Sequence, residues 1–176
     1  MKCDGYYRSP VLEKQGIRLL LTTSVFDMSF DAGDRPRAYK ALGVDARRVV
    51  CPHQVHGAQV AVVDAQDAGK GAFTRESALP ETDALVTGDR RLPIGVLTAD
   101  CLPVLLVAPG KRAVAAIHAG WRGVHQHIIN HALDKMSAHF GAEAHDLTVV
   151  LGPAIRACCY EVGEEFQERF PGAVIV

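Results

Sequence analysis

Three side chains able to bind a transition metal interrupt apolar stretches of this sequence. They are His56 in Gln54-Val55-His56-Gly57, Cys101 in Thr98-Ala99-Asp100-Cys101-Leu102-Pro103, and His118 in Ala116-Ile117-His118-Ala119-Gly120-Trp121-Arg122-Gly123. Each lies where an apolar run gives way to a turn. Two imidazoles and one thiolate suit zinc, and three protein ligands leave a fourth tetrahedral position for water or substrate. The plainer alternative is that two buried histidines and a small apolar cysteine pack in the core, because separated ligands carry no intrinsic sequence signature. Cys101 with His118 or His56 also has the makings of a thiolate nucleophile and its base, the equipment of a metal-free cysteine hydrolase.

Neighbouring polar residues have two readings each. Asp100, beside Cys101, can orient a ligand histidine or accept a proton, or it can simply form a turn. Asp83 carries the same ambiguity with weaker support. Arg122 follows Trp121 ahead of the longest apolar-periodic segment, where backbone N–H groups and the guanidinium can meet phosphate. Its alternative is a surface arginine capping local carbonyls. His127 and His131 lie four apart on a helix but project opposite Ile129 and Leu133, so they read as a solvated face. His53 falls on the opposite side of an extended strand from His56 and is not a fourth ligand. Cys158 and Cys159 invite a nucleophile or redox reading, but they are adjacent, poorly placed for an ordinary structural disulfide and without a flanking histidine or basic cluster to lower a thiol pKa, so they read as free thiols.

The elements that must position these residues follow from periodicity and turn chemistry. Ile17–Thr23, Asp83–Thr87, Pro93–Thr98, Pro103–Ala108, Ala113–Ile117 and Leu147–Leu151 read as strands, the last five buried. Val49–Cys51 and Ala58–Val63 are apolar runs that flank the His53–Gly57 segment. Residues 64–81 read as a surface loop. Pro109-Gly110 predicts a type II turn closing a hairpin. Asp34-Arg35-Pro36 starts a helix that Gly43 ends, Gly123–Phe140 reads as the longest helix with Gly141 as its stop, and a short helix is expected near Glu164–Phe170. These elements make one α+β domain.

Composition bounds the function. The chain has 176 residues, 48% hydrophobic and 22% charged, which is ordinary for a globular domain. A net charge of -1 gives no footprint for nucleic acid or an anionic membrane. No run is long enough to span a bilayer, and Met1–Pro10 is too polar for a signal-peptide core. Five cysteines, an odd count that includes an adjacent pair and lacks C-x-x-C, read as thiols of a cytoplasmic protein.

Five ordered segments carry a more specific signal: Gln54-Val55-His56-Gly57, Thr82-Asp83-Ala84-Leu85-Val86-Thr87, Thr98–Pro103, His118–Gly123, and Gly152-Pro153 leading to Cys158-Cys159-Tyr160-Glu161-Val162-Gly163. They resemble the YfiH-like family, whose members are also called laccase-domain or multicopper polyphenol oxidoreductase proteins and purine nucleoside phosphorylases. The resemblance implies that His56, Cys101 and His118 are zinc ligands. It implies mixed β-sheets packed with helices in an α/β sandwich. It also implies phosphorolysis of adenosine, inosine, guanosine and methylthioadenosine, plus deamination of adenosine. Under that reading Trp121 can stack on a purine, although a lone tryptophan more often packs against its neighbours. Copper and polyphenol oxidation rank second, since one His₂Cys site lacks the histidine-rich clusters of multicopper chemistry. The sequence departs from the family pattern in lacking its Arg-Gly-Gly and Asn-Leu-Gly segments and its C-terminal motif. A single domain over 1–176 without the usual C-terminal segment is therefore expected, and a catalytically impaired binding protein is a further alternative.

Overall fold

The computed structural model of the protein describes residues 2–3 and 5–172. Its centre is a hairpin of two long apolar strands, β6 (Leu102–Ala108) and β7 (Ala113–Ala119), antiparallel over their whole length from Leu102↔Ala119 to Ala108↔Ala113. β5 (Ala84–Thr87) pairs antiparallel with the other side of β7, and β4 (Val60–Val62) adds to β5 in parallel. β8 (Thr148–Leu151) pairs antiparallel with β6, so the mixed sheet has the order β4-β5-β7-β6-β8. A smaller antiparallel sheet holds β1 (Lys2–Cys3), β2 (Tyr6–Arg8) and β3 (Leu20–Thr22).

Helices cover one face of the larger sheet. α4 (Ile128–Phe140) sets Ile128, Ala132 and Met136, all fully buried, against Val104, Leu106, Ala115 and Ile117. Burying side chains the size of Ile128 and Met136 stabilises the fold by roughly 1.5–3 kcal/mol apiece. α3 (Trp121–His125) precedes α4; α1 (Pro10–Glu13) and α2 (Arg35–Leu42) lie earlier in the chain, and α5 (Glu164–Arg169) near its end. The architecture is α+β, mixed sheets packed against helices, as expected. No helix among the described residues is long and apolar enough to cross a membrane.

α2 starts at the expected Asp34-Arg35-Pro36, and Gly43 ends it at φ 62°, where a β-carbon would be strained. Its Arg35 is buried, donating to the carbonyls of Met28, Gly71 and Ala72, with its guanidinium 3.9 Å over the Phe30 ring. This arginine ties down the 64–81 segment, in which Gly71, Ala72 and Ala78 are buried rather than forming a wholly surface loop.

Several expectations are corrected. Pro93–Thr98 is not a strand: it makes only an isolated bridge from Ile94 to Val50. The Gln54 side-chain amide takes the place of a neighbouring strand, accepting from the Leu97 N–H at 2.7 Å and donating to its carbonyl at 2.8 Å. The expected Gly123–Phe140 helix is two helices, because His127 adopts φ 62° between α3 and α4. The Ala108–Arg112 connection is a 3₁₀ turn over Pro109–Lys111, with the left-handed residue at Arg112 rather than Gly110, so the hairpin stands but its turn is not type II. The first predicted strand is limited to Leu20–Thr22. β8 is not buried: Val149 and Leu151 are 54% and 63% exposed, since it is an outer strand of the sheet.

Candidate metal centre

The hairpin register sets two of the three candidate ligands side by side. Pro103 pairs with His118 and Leu102 with Ala119, so Cys101, immediately before β6, arrives next to the end of β7. His118 alternates with Ile117 along β7, which places the imidazole on the face away from α4. His56 comes from the loop ahead of β4. Its ligand atom, the Cys101 Sγ and that of His118 all lie within 4.8 Å of one another.

The His56 loop is folded around one carboxylate. Asp83, fully buried just before β5, accepts backbone N–H bonds from Val55 at 3.1 Å, His56 at 2.9 Å and Gly57 at 2.9 Å. The same carboxylate accepts from His118 Nδ1 at 2.8 Å. That bond places the proton on Nδ1 and leaves the Nε2 lone pair free for a cation. Burial alone would raise the Asp83 pKa, but the bonds from His118, Val55 and Gly57 outweigh it and hold the carboxyl below its ordinary value of 3.8. His56 itself sits at φ 60°, an unfavourable conformation that the Asp83 clamp supports. His53 lies outside the group formed by His56, Cys101 and His118.

Gly120 completes the cradle. A β-carbon there would lie 3.2 Å from His56 Cδ2, 3.3 Å from Cys101 Sγ and 3.6 Å from His118 Cε1. Glycine therefore keeps clear the space among the three candidate ligands. His56 is exposed, Cys101 half-buried and His118 buried, so the donor set is closed on the protein side and open on the other. The two nitrogens and one thiolate sulfur fit zinc with a position left for a further ligand. Burial, then the carboxylates of Asp100 and Asp83, push the Cys101 thiol above its ordinary value of 9.0. A nucleophilic cysteine needs the opposite shift, whereas a cation among the ligands would draw the thiolate out. The centre opens onto a groove of roughly 1400 Å³ whose walls include Gln54, Thr98, Asp100, Leu105 and Pro153.

Asp100 is exposed, and its carbonyl accepts from the Ile155 N–H at 2.9 Å. The histidine-orienting bond belongs instead to Asp83, which sequence reasoning had ranked below it. The signal was available: a carboxylate entering a run as apolar as Ala84–Val86 needs strong partners to be buried. Arg122 is exposed with its guanidinium 4.6 Å over the Trp121 ring, and among the described residues it makes no ion pair. Trp121 packs edge-on against Phe166 at 6.2 Å, with Arg169 at 5.5 Å on the ring. His127 and His131 are exposed and outside the cluster, and His131 Nδ1 lies 3.1 Å from the Ala58 carbonyl.

The chain is 43% identical over 141 residues to purine nucleoside phosphorylase ORF3 of Streptomyces griseus, covering 80% of this chain and 54% of that protein. It is 40% identical over 132 residues to adenosine deaminase RL5 of an unknown prokaryotic organism, covering 75% of this chain and 50% of that one. The chain thus spans about half the length of these curated relatives. The crystal structure of YlmD from Geobacillus stearothermophilus superposes with a TM-score of 0.87 at 30% identity, over 96% of this chain and 69% of that one. Residues 26–175 match the family model described as multi-copper polyphenol oxidoreductase laccase, and the chain belongs to that family.

Proposed function

We propose that this chain is a zinc-dependent purine nucleoside phosphorylase of the cytoplasm. Its proposed substrates are adenosine, inosine, guanosine and methylthioadenosine with inorganic phosphate, and it also deaminates adenosine. The observation that carries the reading is the convergence of His56, Cys101 and His118 on one point, with Asp83 holding both the His118 ring and the His56 loop. The names of the relatives supply the substrate class. Among the described residues this is the one group of three or more histidines, cysteines and carboxylates that gather as ligands, which favours a single zinc over multicopper oxidation of polyphenols.

Zinc held by these ligands supplies Lewis acidity and activates water. The chain's own residues do the rest. Phosphorolysis breaks the bond between ribose C1′ and the purine as a phosphate oxygen bonds to C1′, and its rate depends on holding that oxygen in line. Arg122, exposed with its guanidinium 4.6 Å over the Trp121 ring, is the proposed phosphate anchor. Deamination adds water at the purine C6 carbon and expels ammonia, which requires a group to take and return a proton. Asp100, exposed next to Cys101 on the groove wall, is the proposed proton acceptor.

The test is incubation of metal-loaded protein with adenosine or inosine and phosphate, followed by analysis of ribose 1-phosphate, free base and inosine. Products that vanish with a chelator and return with zinc but not copper support the reading. Failure of folded, zinc-loaded protein to form any of these products contradicts it.

A further inference from the structure

We propose that Cys158 and Cys159 form a reversible exchange site, oxidised to a disulfide between these adjacent residues by low-molecular-weight disulfides. Both cysteines are exposed, and their sulfurs lie 3.3 Å apart. They ride on a single tight turn in which the N–H groups of Cys159 and Tyr160 both donate to the Arg156 carbonyl, at 2.9 and 3.0 Å. The turn is anchored on either side. Ile155 donates its N–H to the Asp100 carbonyl, and the Tyr160 ring packs edge-on against Phe166 at 6.2 Å. Neither thiol belongs to the His56, Cys101 and His118 cluster, and Cys51 is buried.

The chemistry follows from proximity. One thiol, after losing its proton, attacks an external disulfide RS–SR. A protein–S–SR bond forms and RS⁻ leaves, taking up the released proton as RSH. The neighbouring thiol then loses its proton and attacks the protein-side sulfur. The bond between Cys158 and Cys159 forms, and the second RS⁻ departs and is protonated. The external disulfide is reduced to two thiols while the cysteine pair loses two hydrogens. Because the resolving sulfur is already next to the attacked one, the second step is intramolecular and outpaces accumulation of the mixed disulfide. Adjacent Cα atoms are about 3.8 Å apart, below the roughly 4.4–6.8 Å usual for a disulfide, so the bond reopens readily with thiols.

Trypsin cleavage after Arg156 and Arg169 isolates a peptide holding these two cysteines and no other. Folded protein is treated with oxidised glutathione and this peptide is weighed. The wild-type peptide should be lighter by two hydrogens and carry no glutathione, and dithiothreitol should restore its mass. In Cys158→Ser and in Cys159→Ser the same peptide should carry one glutathione. A wild-type peptide that retains glutathione, or one that stays unmodified, overturns the proposal.

Discussion

Asp83 bears the heaviest demand of any single residue near the proposed metal, because one buried carboxylate serves three backbone donors and an imidazole. Asp83→Asn keeps the shape but loses the negative charge and half the acceptor capacity facing these donors. Zinc affinity should fall about 10- to 100-fold, the usual effect of removing a partner behind a metal ligand. A competition titration giving wild-type affinity would contradict that role. A second prediction concerns Cys51, whose thiol is pushed above 9.0 by burial, and Tyr39, whose hydroxyl lies 4.0 Å from it and is likewise raised by burial. Both stay protonated in the folded protein at pH values where the unfolded chain releases the proton. Stability from this pair is therefore complete at neutral pH and declines as pH rises past 9.0. Denaturant midpoints measured across the alkaline range should show that decline, and Cys51→Ala with Tyr39→Phe should flatten it.

At the level of elements, two glycines beside the centre separate metal binding from folding. Gly120→Ala introduces a methyl at 3.2–3.6 Å from all three candidate ligand side chains, with a backbone φ of −69° that alanine accepts. It should weaken zinc binding while the metal-free protein melts near the wild-type temperature. Gly123→Ala instead drives a methyl to 2.5 Å from the Gly57 carbonyl, where α3 meets the His56 loop. Overpacking of that kind should cost about 1–3 kcal/mol of stability in chemical denaturation. Equal effects of the two substitutions on melting would contradict this division.

The same elements show what was legible in the chain. His56, Cys101 and His118 stood out because each polar residue ends an apolar run, and the β6–β7 hairpin could be anticipated from its two runs and its Pro-Gly connection. The break at His127 had no such marker: neither glycine nor proline is present, and the four-residue spacing from Val124 to Ile128 continues the apolar period across it. Pro93–Thr98 is apolar enough for a strand, but its pairing depends on the Gln54 side chain, a contact 43 residues away. Asp83 carries a signal of its own, a carboxylate heading an apolar run, but which groups it serves is not local: its partners lie in a loop 26–28 residues earlier and, for His118, 35 residues later.

For the molecule as a whole, the metal should act as a structural ligand as well as a catalytic one. It would tie the loop before β4 to the ends of β6 and β7, so zinc stabilises the folded state by mass action, about 2.7 kcal/mol at a free concentration 100 times its Kd. Thermal melts with and without zinc should show that shift in wild type and not in His118→Ala. The most direct measurement is elemental analysis beside the intact mass of protein purified from zinc-replete medium. One zinc per chain is expected in wild type and in His127→Ala, and none in His118→Ala. Stoichiometric zinc retained by His118→Ala, or metal-free wild type, would contradict the account.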